Sequence, residues 1–312
     1  MGHTVEVIGP KQFRTVPCPT YAEIPLALRP RRKLTRLIEG FDPTALHIAT
    51  EGPLGIAARS WAKRNGFSFT TSFHTRFPEY ISARTGMPVA PFYAWLRRFH
   101  GAAHGVMVAT ESLQSELNSR GFRGIVQWSR GVDLELFRPE PRDPWEGLPR
   151  PIFLYVGRVA VEKNIEAFLK LDLPGSKVVV GGGPQLAAIR HAYPRARYTG
   201  PRFAAELARS YAGADVFVFP SRTDTFGLVL LEALACGTPV AAYPVTGPKD
   251  ILANAAGLIG VLHDDLRAAA LGALAADRMA CRAHAERYSW RACAELFMHH
   301  LIPLAGPAAE VA

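Results

Sequence analysis

The sequence predicts an α/β protein of two doubly wound, Rossmann-like domains facing each other across a cleft. Three observations lead there. Strand-like and helix-like patterns alternate along the chain at the spacing of a parallel sheet covered on both faces. Runs such as IFLYV (152–156) and VFVF (216–219) are apolar throughout, as strands buried on both faces require. The alternation stops once, at 138–151 (RPEPRDPWEGLPRP), which holds five prolines and no periodicity, and then restarts. With 312 residues, each side of this linker is long enough to bury a core of its own.

The first domain is read as residues 1–137. TVEVIG (4–9) alternates and ends in Gly-Pro, a strand and turn. Further strands are expected at 45–49, 67–73 and 105–109, with helices at 31–39, 53–65, 91–103 and 111–119. A domain of this kind ordinarily begins with a strand and helix unit of about 30 residues. Nothing of that sort precedes 4–9, so the first domain is expected to lack its first strand and helix.

The second domain, 152–287, repeats the pattern. Strands are expected at 152–157, 177–182, 196–200, 216–219 and 239–243, and helices at 164–171, 184–193, 204–211, 226–235 and 269–287. A final helix at 290–301 and a small-residue tail make up 288–312, free to pack back on the first domain. Ligands of open parallel sheets bind beyond the carboxyl ends of the strands, where strand order reverses, so the cleft is the expected active site.

Composition narrows the function classes. No window holds the roughly 18–20 uncharged residues of a membrane-spanning helix, and the start of the chain lacks the charged and apolar regions of an export signal. A cytoplasmic location is expected. Cys18, Cys236, Cys281 and Cys293 fall at unrelated spacings without histidines at ligand distance, which suits reduced structural thiols rather than a metal or redox site. The net charge of +9 is lopsided: residues 1–138 carry 18 Lys and Arg against 10 Asp and Glu, and residues 139–312 carry 18 against 17. A basic first domain implies an anionic partner, nucleic acid or an anionic leaflet. Charge alone does not choose between them, and a merely soluble basic face is the plain alternative; no nucleic-acid-binding module is recognisable.

Three stretches carry chemistry. After IFLYV stands GRVAVEKNI, placing Gly157 and Arg158 at a strand's carboxyl edge and Lys163 at a helix mouth. A guanidinium forks onto one phosphate and an ammonium supplies a point charge to the next, so the pair suits a diphosphate; solvated surface cations are the plain alternative. GGGP (181–184) follows the next strand and brings Gly182, Gly183 and Pro184 to a helix start, either as a tight turn or to let a ligand approach the backbone. Neither a dinucleotide fingerprint nor a phosphate loop is present. In FVFPSRTDTFGLVLLEALACGTPVAAY (217–243) the amides of Phe226, Gly227 and Leu228 are expected in the first turn of a helix, free to meet an anion. With Arg158 and Lys163 they would neutralise a leaving diphosphate without a metal. Glu232, separated from the helix-mouth Asp224 by seven intervening residues, is a carboxylate among Leu230, Leu231, Ala233 and Leu234. It is either a solvated face residue or a ligand.

In this order GRVAVEKNI, GGGP, YTG and SRTDTFGLVLLEALACGTPV resemble the donor-binding half of retaining family-four glycosyltransferases with the GT-B fold, over residues 152–243. The resemblance implies Arg158 and Lys163 on the donor diphosphate, Glu232 on the ribose hydroxyls and Asp224 on the sugar hydroxyls. Gly157, Gly182, Gly183, Pro184, Tyr198, Gly200, Phe226, Gly227 and Leu228 would surround the donor, and the segment after Tyr198 would line the base pocket. Asp224 is one methylene shorter than the family's usual Glu, which bears on the sugar contacts. In the first half PCPTYAEIPLAL (17–28), LHIATEGPLG (46–55), TSFHTRFPEYI (71–81) and WSRGVDLELF (128–137) resemble a narrower branch. Its members are the sulfoquinovosyl, mannosyl and glucuronosyl transferases that act on diacylglycerol-type lipids. His74 matches the family's histidine facing the donor sugar; a histidine bonded within its loop is the alternative. Arg76 and Glu79 are weaker candidates.

The expected activity is therefore transfer of a sugar from a UDP- or GDP-sugar to a lipid hydroxyl with retained configuration, the stereochemistry implied by the resemblance alone. No metal or cofactor is expected beyond the donor. Arg31, Arg32, Lys33, Arg97 and Arg98, beside Leu, Trp and Phe, would rest the first domain on the inner face of the plasma membrane. Two other readings stand beside this one: the same chemistry on a soluble glycan, and a non-catalytic sugar-nucleotide binder resulting from the missing first strand.

Overall fold

The computed structural model describes residues 2–19, 21–140, 144–223 and 226–304. They divide into two compact units. The first takes the described residues of Met1–Ala109, Gln114–Trp128 and Leu296–Ala312, and the second those of Thr110–Leu113 and Ser129–Glu295.

In chain order the first stretch holds β1 (Thr15–Cys18), β2 (Tyr21–Ala27), α1 (Arg31–Phe41), β3 (His47–Ile48), α2 (Pro53–Arg64), β4 (Thr70–Ser72), α3 (Phe77–Thr85), α4 (Ala90–His100), β5 (Gly105–Val108), α5 (Glu111–Ser119) and β6 (Ile125–Gln127). Strands β3 to β6 form a parallel sheet in sequence order. Helix α2 shows why the sequence folds this way. Pro53 occupies the first turn, where a missing N–H costs nothing, and Ala57, Ala58, Trp61 and Ala62 recur at helical spacing to form its buried stripe. Trp61 packs with Leu34, Ile38, Ile48, Phe69 and Phe99 in the unit's core.

Strand β4 is unusual because Thr70, Thr71 and Ser72 are all fully buried. Each hydroxyl finds a histidine. Thr70 Oγ1 and Ser72 Oγ, on one face, lie 2.9 and 2.7 Å from His47 Nδ1 and Nε2. On the other face Thr71 Oγ1 lies 2.9 Å from His100 Nδ1, and His100 Nε2 is 3.0 Å from Glu51. Every polar group introduced into the sheet is thereby satisfied, as burial demands.

The second unit holds β7 (Ile152–Val156), α6 (Ile165–Leu169), β8 (Ser176–Val180), α7 (Leu186–Ala192), β9 (Arg197–Gly200), α8 (Ala204–Ala212), β10 (Val216–Phe219), α9 (Leu228–Ala235), β11 (Val240–Ala242), α10 (Pro248–Leu252), β12 (Gly260–Leu262), α11 (Leu266–Gly272) and α12 (Arg278–Ala285). Helix α13 (Trp290–His300) follows. The parallel sheet runs β12-β11-β10-β7-β8-β9. Strand order reverses between β7 and β10, so the crevice beyond their carboxyl ends is the switch point of this sheet. Phe153, Tyr155, Phe168, Val179, Val216, Val218 and Ala241 pack in one core cluster.

The α/β class with two parallel sheets agrees with the expectation, and several elements do not. TVEVIG is no strand: residues 4–9 have no ladder partner among the described residues, and Val5 and Val7 are 74% and 77% exposed. Alternation supplies two faces, but a strand also needs a neighbour. Instead β1 and β2 pair antiparallel with Pro17 opposite Pro25, a two-stranded ribbon whose open edges accommodate residues without an N–H donor. Helix α3 and strands β6 and β12 were not expected. The helix expected at 269–287 breaks into α11 and α12, because Asp277 caps a new start by accepting from the amides of Met279 and Ala280.

Phe153 is fully buried on the central strand β7. Phe153→Ala is expected to cost about 3–5 kcal/mol of stability, read as a lower denaturation midpoint with an unchanged slope.

Candidate active site at the strand ends of the second unit

The loops that leave β7 and β8 continue the sheet beyond the strands. Gly157 N donates to Val180 O at 3.0 Å, Gly181 N to Gly200 O at 2.9 Å and Val159 N to Gly182 O at 2.8 Å. At Gly181 the backbone has φ +146°, and a Cβ there would lie 1.9 Å from the Gly157 carbonyl oxygen. Neighbouring backbone thus demands this glycine, whatever ligand lies beyond. Gly157, Gly182 and Gly200 stand together on this rim, while Pro184 sits exposed two residues before α7.

Arg158 follows Gly157, half-buried, and its carbonyl accepts from the Tyr155 hydroxyl at 2.7 Å. Lys163 was expected at a helix mouth. It instead ends a 3-10 turn, Val161–Lys163, and Asn164 in left-handed backbone (φ +51°) separates it from α6. That turn is fastened to the end of β10: Asn164 Nδ2 donates to Pro220 O at 3.1 Å, and Thr223 Oγ1 to Glu162 O at 3.3 Å. Lys163 is thereby held between two residues anchored across the switch point.

Gly227 caps α9 with φ +87°, a conformation that favours glycine. The helix itself starts at Leu228, later than the sequence suggested. Of the three expected amides only that of Leu228 belongs to the first turn, with Gly227 at the cap and Phe226 before it. Phe226 is buried, its ring edge-on to Tyr288 at 6.4 Å. Glu232 lies one turn inside α9, not two. Asp224 falls outside the described residues. Arg222, passed over in the sequence, lays its guanidinium 3.7 Å from the centre of the Tyr243 ring.

Glu232 is not a solvated face residue. Its Oε2 accepts from the hydroxyl of Tyr211 at 2.9 Å, and Tyr211 is wholly buried. Burial pushes the Glu232 carboxyl above the usual carboxylate range, and the Tyr211 hydrogen bond offsets part of that rise. Burial and the neighbouring Glu232 charge push the Tyr211 phenol well above its ordinary value, so it stays a donor. Tyr211 has no sequence signal of its own, being one apolar position among several on α8. Cys236 is buried and its thiol is pushed up to about 12, chiefly by burial, which suits a structural thiol.

Tyr198 points its hydroxyl at the end of α7, donating to Tyr193 O at 2.9 Å. The segment after it carries the exposed residue, Phe203, 76% accessible. His74 belongs to the first unit, two residues beyond β4, with its ring 5.8 Å from that of Trp128. Phe297 packs on the same tryptophan at 4.8 Å and on His47 at 4.9 Å. Arg76 is paired bidentately with Glu116, at 3.2 and 2.6 Å, and Glu79 accepts from Tyr93 at 2.6 Å, so both weaker candidates serve local structure.

Arg31, Arg32, Lys33, Arg97 and Arg98 are exposed, whereas on α1 Leu34 and Ile38 are buried and Phe41 at the far end is exposed. Leu34 and Ile38 turn inward into the core, leaving Arg31, Arg32 and Lys33 as charge alone, and Lys33 reaches back to the Gln12 carbonyl. On α4 the exposed Arg97 and Arg98 flank Trp95, which is 46% accessible. Among the described residues no helix is long and apolar enough to cross a membrane, and no three His, Cys, Asp or Glu side chains gather as a metal site requires.

The Glu232 environment generates a stability prediction. A carboxyl raised in the folded state binds its proton more tightly folded than unfolded, so ionising it costs stability as pH rises through the folded value. Glu232→Gln is therefore expected to raise Tm at pH 7–8, with the gain shrinking as pH falls toward the ordinary carboxylate range.

Comparison with known proteins places these features. Residues 150–277 match the family described as glycosyl transferases group 1, and residues 1–136 that described as glycosyltransferase family 4. A GDP-mannose-dependent alpha-mannosyltransferase of Mycobacterium tuberculosis is 33% identical over 243 residues, covering 75% of this chain and 64% of that protein. Sulfoquinovosyl transferase SQD2 of Arabidopsis thaliana is 32% identical over 314 residues, covering 92% and 61%. The chain thus spans somewhat under two thirds of these relatives' length. In fold, the sucrose-phosphate synthase of Thermosynechococcus elongatus superposes with a TM-score of 0.70 at 22% identity, over 87% of this chain and 78% of that one. With one family match on each half of the chain, and parallel-sheet units of the kind these enzymes share, the chain belongs to the group 1 and family 4 glycosyltransferases of GT-B fold.

Proposed function

We propose that the chain transfers a sugar from a nucleoside diphosphate sugar to a lipid hydroxyl, with retention of configuration. The observation that carries the donor reading is the switch point of the second unit. There Arg158 follows β7, the Lys163 turn is pinned to the end of β10, and Glu232 stands partly buried without a cationic partner among the described residues.

In this reading Arg158 and Lys163 take the diphosphate, assisted by the first amides of α9. Their fixed charges meet the negative charge that grows on the leaving phosphate, the form of catalysis that needs no reorganisation and, here, no metal. Glu232 accepts from the ribose hydroxyls and Asp224 contacts the sugar, while His74 keeps the donor-sugar role that the resemblance implies. The acceptor hydroxyl attacks from the face the diphosphate is leaving, and the departing phosphate takes its proton. The names of the relatives favour mannose or sulfoquinovose as the sugar. A diacylglycerol-type acceptor is favoured by the basic first half and by the exposed Trp95 on the same helix as the exposed Arg97 and Arg98. Asp224 in place of the family's longer Glu keeps the choice of sugar open to experiment.

Lys163→Ala and Glu232→Ala are each expected to lower transfer by about 100-fold or more while the thermal unfolding profile is retained. Full activity in both would sink the assignment. A thermal-shift panel of UDP- and GDP-sugars identifies the donor, since a ligand that binds only the folded chain raises Tm; no stabilisation by either base sinks the donor reading.

A soluble glycan is the second acceptor reading, and vesicle flotation separates the two. The chain is expected to float with vesicles rich in anionic phospholipid and to be released as salt rises, because its exposed cations act over a Debye length of about 8–10 Å. Failure to float moves the acceptor to a soluble glycan.

A further inference from the structure

We propose that Tyr211 is a positioning residue for Glu232, fixing from inside the fold the carboxylate that receives the donor's ribose. The inference rests on the reading of Glu232 as the ribose ligand and adds to it a residue with no contact to the donor.

The geometry is that of a built support. Tyr211 sits at the end of α8, 0% exposed, and its ring is held edge-on by Phe217 at 5.5 Å and Phe137 at 6.1 Å. Its backbone is anchored from α9's far end, where Thr238 Oγ1 donates to Tyr211 O at 2.6 Å. The neighbouring turn of α8 is anchored as well, with Cys236 Sγ at 3.5 Å from Ala208 O. The phenol can neither swing out nor slide. Its hydroxyl therefore defines where Glu232 Oε2 must lie, at 2.9 Å.

A buried tyrosine hydroxyl needs an acceptor, and a backbone carbonyl would serve without adding a charge. Placing a carboxylate there costs desolvation, which a purely structural role does not explain. The choice of a neutral donor is also informative. An arginine or lysine at this place would neutralise the carboxylate and occupy both oxygens. A phenol satisfies one oxygen and leaves the charge intact, so the other stays a strong acceptor. Oε1 of Glu232 accepts from no described residue. A carboxylate held by one edge, with the other available, is what two adjacent sugar hydroxyls can bind.

The test is a double-mutant cycle on the full chain, measuring by calorimetry the binding of UDP, GDP and their 2′,3′-dideoxy counterparts. Tyr211→Phe is expected to weaken the better ribonucleotide by about 10- to 100-fold, the range of one hydrogen bond to a charged group, and to leave the dideoxy nucleotide unchanged. Dideoxy binding thus serves as the control for an intact fold. In a Glu232→Gln background the same change is expected to add nothing. Equal losses for both nucleotides, a loss that adds to that of Glu232→Gln, or wild-type binding by Tyr211→Phe would each overturn the proposal. If Glu232→Gln itself binds the ribonucleotide as well as wild type, the ribose reading fails and this inference with it. That result differs from a failure confined to Tyr211, in which Glu232→Gln loses affinity and Tyr211→Phe does not.

Discussion

The backbone approach of the β7 and β8 loops is the constraint on which the candidate site depends. Parallel strands usually part company at their carboxyl ends as each chain turns into its helix. Here Gly157, Gly181 and Gly182 keep the ladder going past β7 and β8, and the Gly157 carbonyl fills the space a side chain at 181 would need. The rim is therefore made of backbone at fixed height, and Arg158 starts from it. Lys163 is fixed by different means, through Asn164 and Glu162 to the end of β10. Two cations five positions apart beyond one strand are thus referred to opposite sides of the switch point. Neither depends on a long surface loop for its position.

Glu232 is the cost of this arrangement, because a carboxylate raised by burial opposes folding at neutral pH. The fold limits that cost with one neutral hydrogen bond and no counter-ion among the described residues. A buried ion pair would restrain the carboxylate more firmly but would leave less of its charge for a ligand. Tyr211 and Glu232 together read as a compromise that favours binding over stability, and such compromises gather at functional sites. The β4 network of the first unit stands in contrast. There Thr70, Ser72 and His47, and Thr71, His100 and Glu51, satisfy one another.

Much of this was legible in the sequence where burial wrote a continuous pattern. IFLYV and VFVF could only be central strands, and the glycines after them marked strand ends. Motif order then located Arg158, Lys163 and Glu232. What escaped was set by contacts between distant residues. The β1–β2 ribbon carries Pro17 and Pro25, which argue against strands until the two are seen opposite each other. The Asp277 cap that divides α11 from α12 sits inside an alanine-rich stretch that reads as unbroken helix. The start of α9 depends on the backbone of Gly227, which moved Glu232 from two turns deep to one. Tyr211 lies 21 positions before Glu232, and no period or motif connects α8 to α9.

The charge asymmetry also changes meaning once side chains are placed. As a string, RPRRKLTRLI mixes cations with apolar residues and suggests a helix lying in an interface. In the fold, Leu34 and Ile38 are consumed by the core, so the first turns of α1 offer charge, with Phe41 exposed only at its far end. An amphipathic helix binds a bilayer through the apolar face it inserts; one whose apolar face is already buried can bind only by long-range attraction. Trp95 is the exception, an aromatic exposed beside Arg97 and Arg98. Whatever anionic surface this unit meets would be held by many weak, screened contacts around one indole.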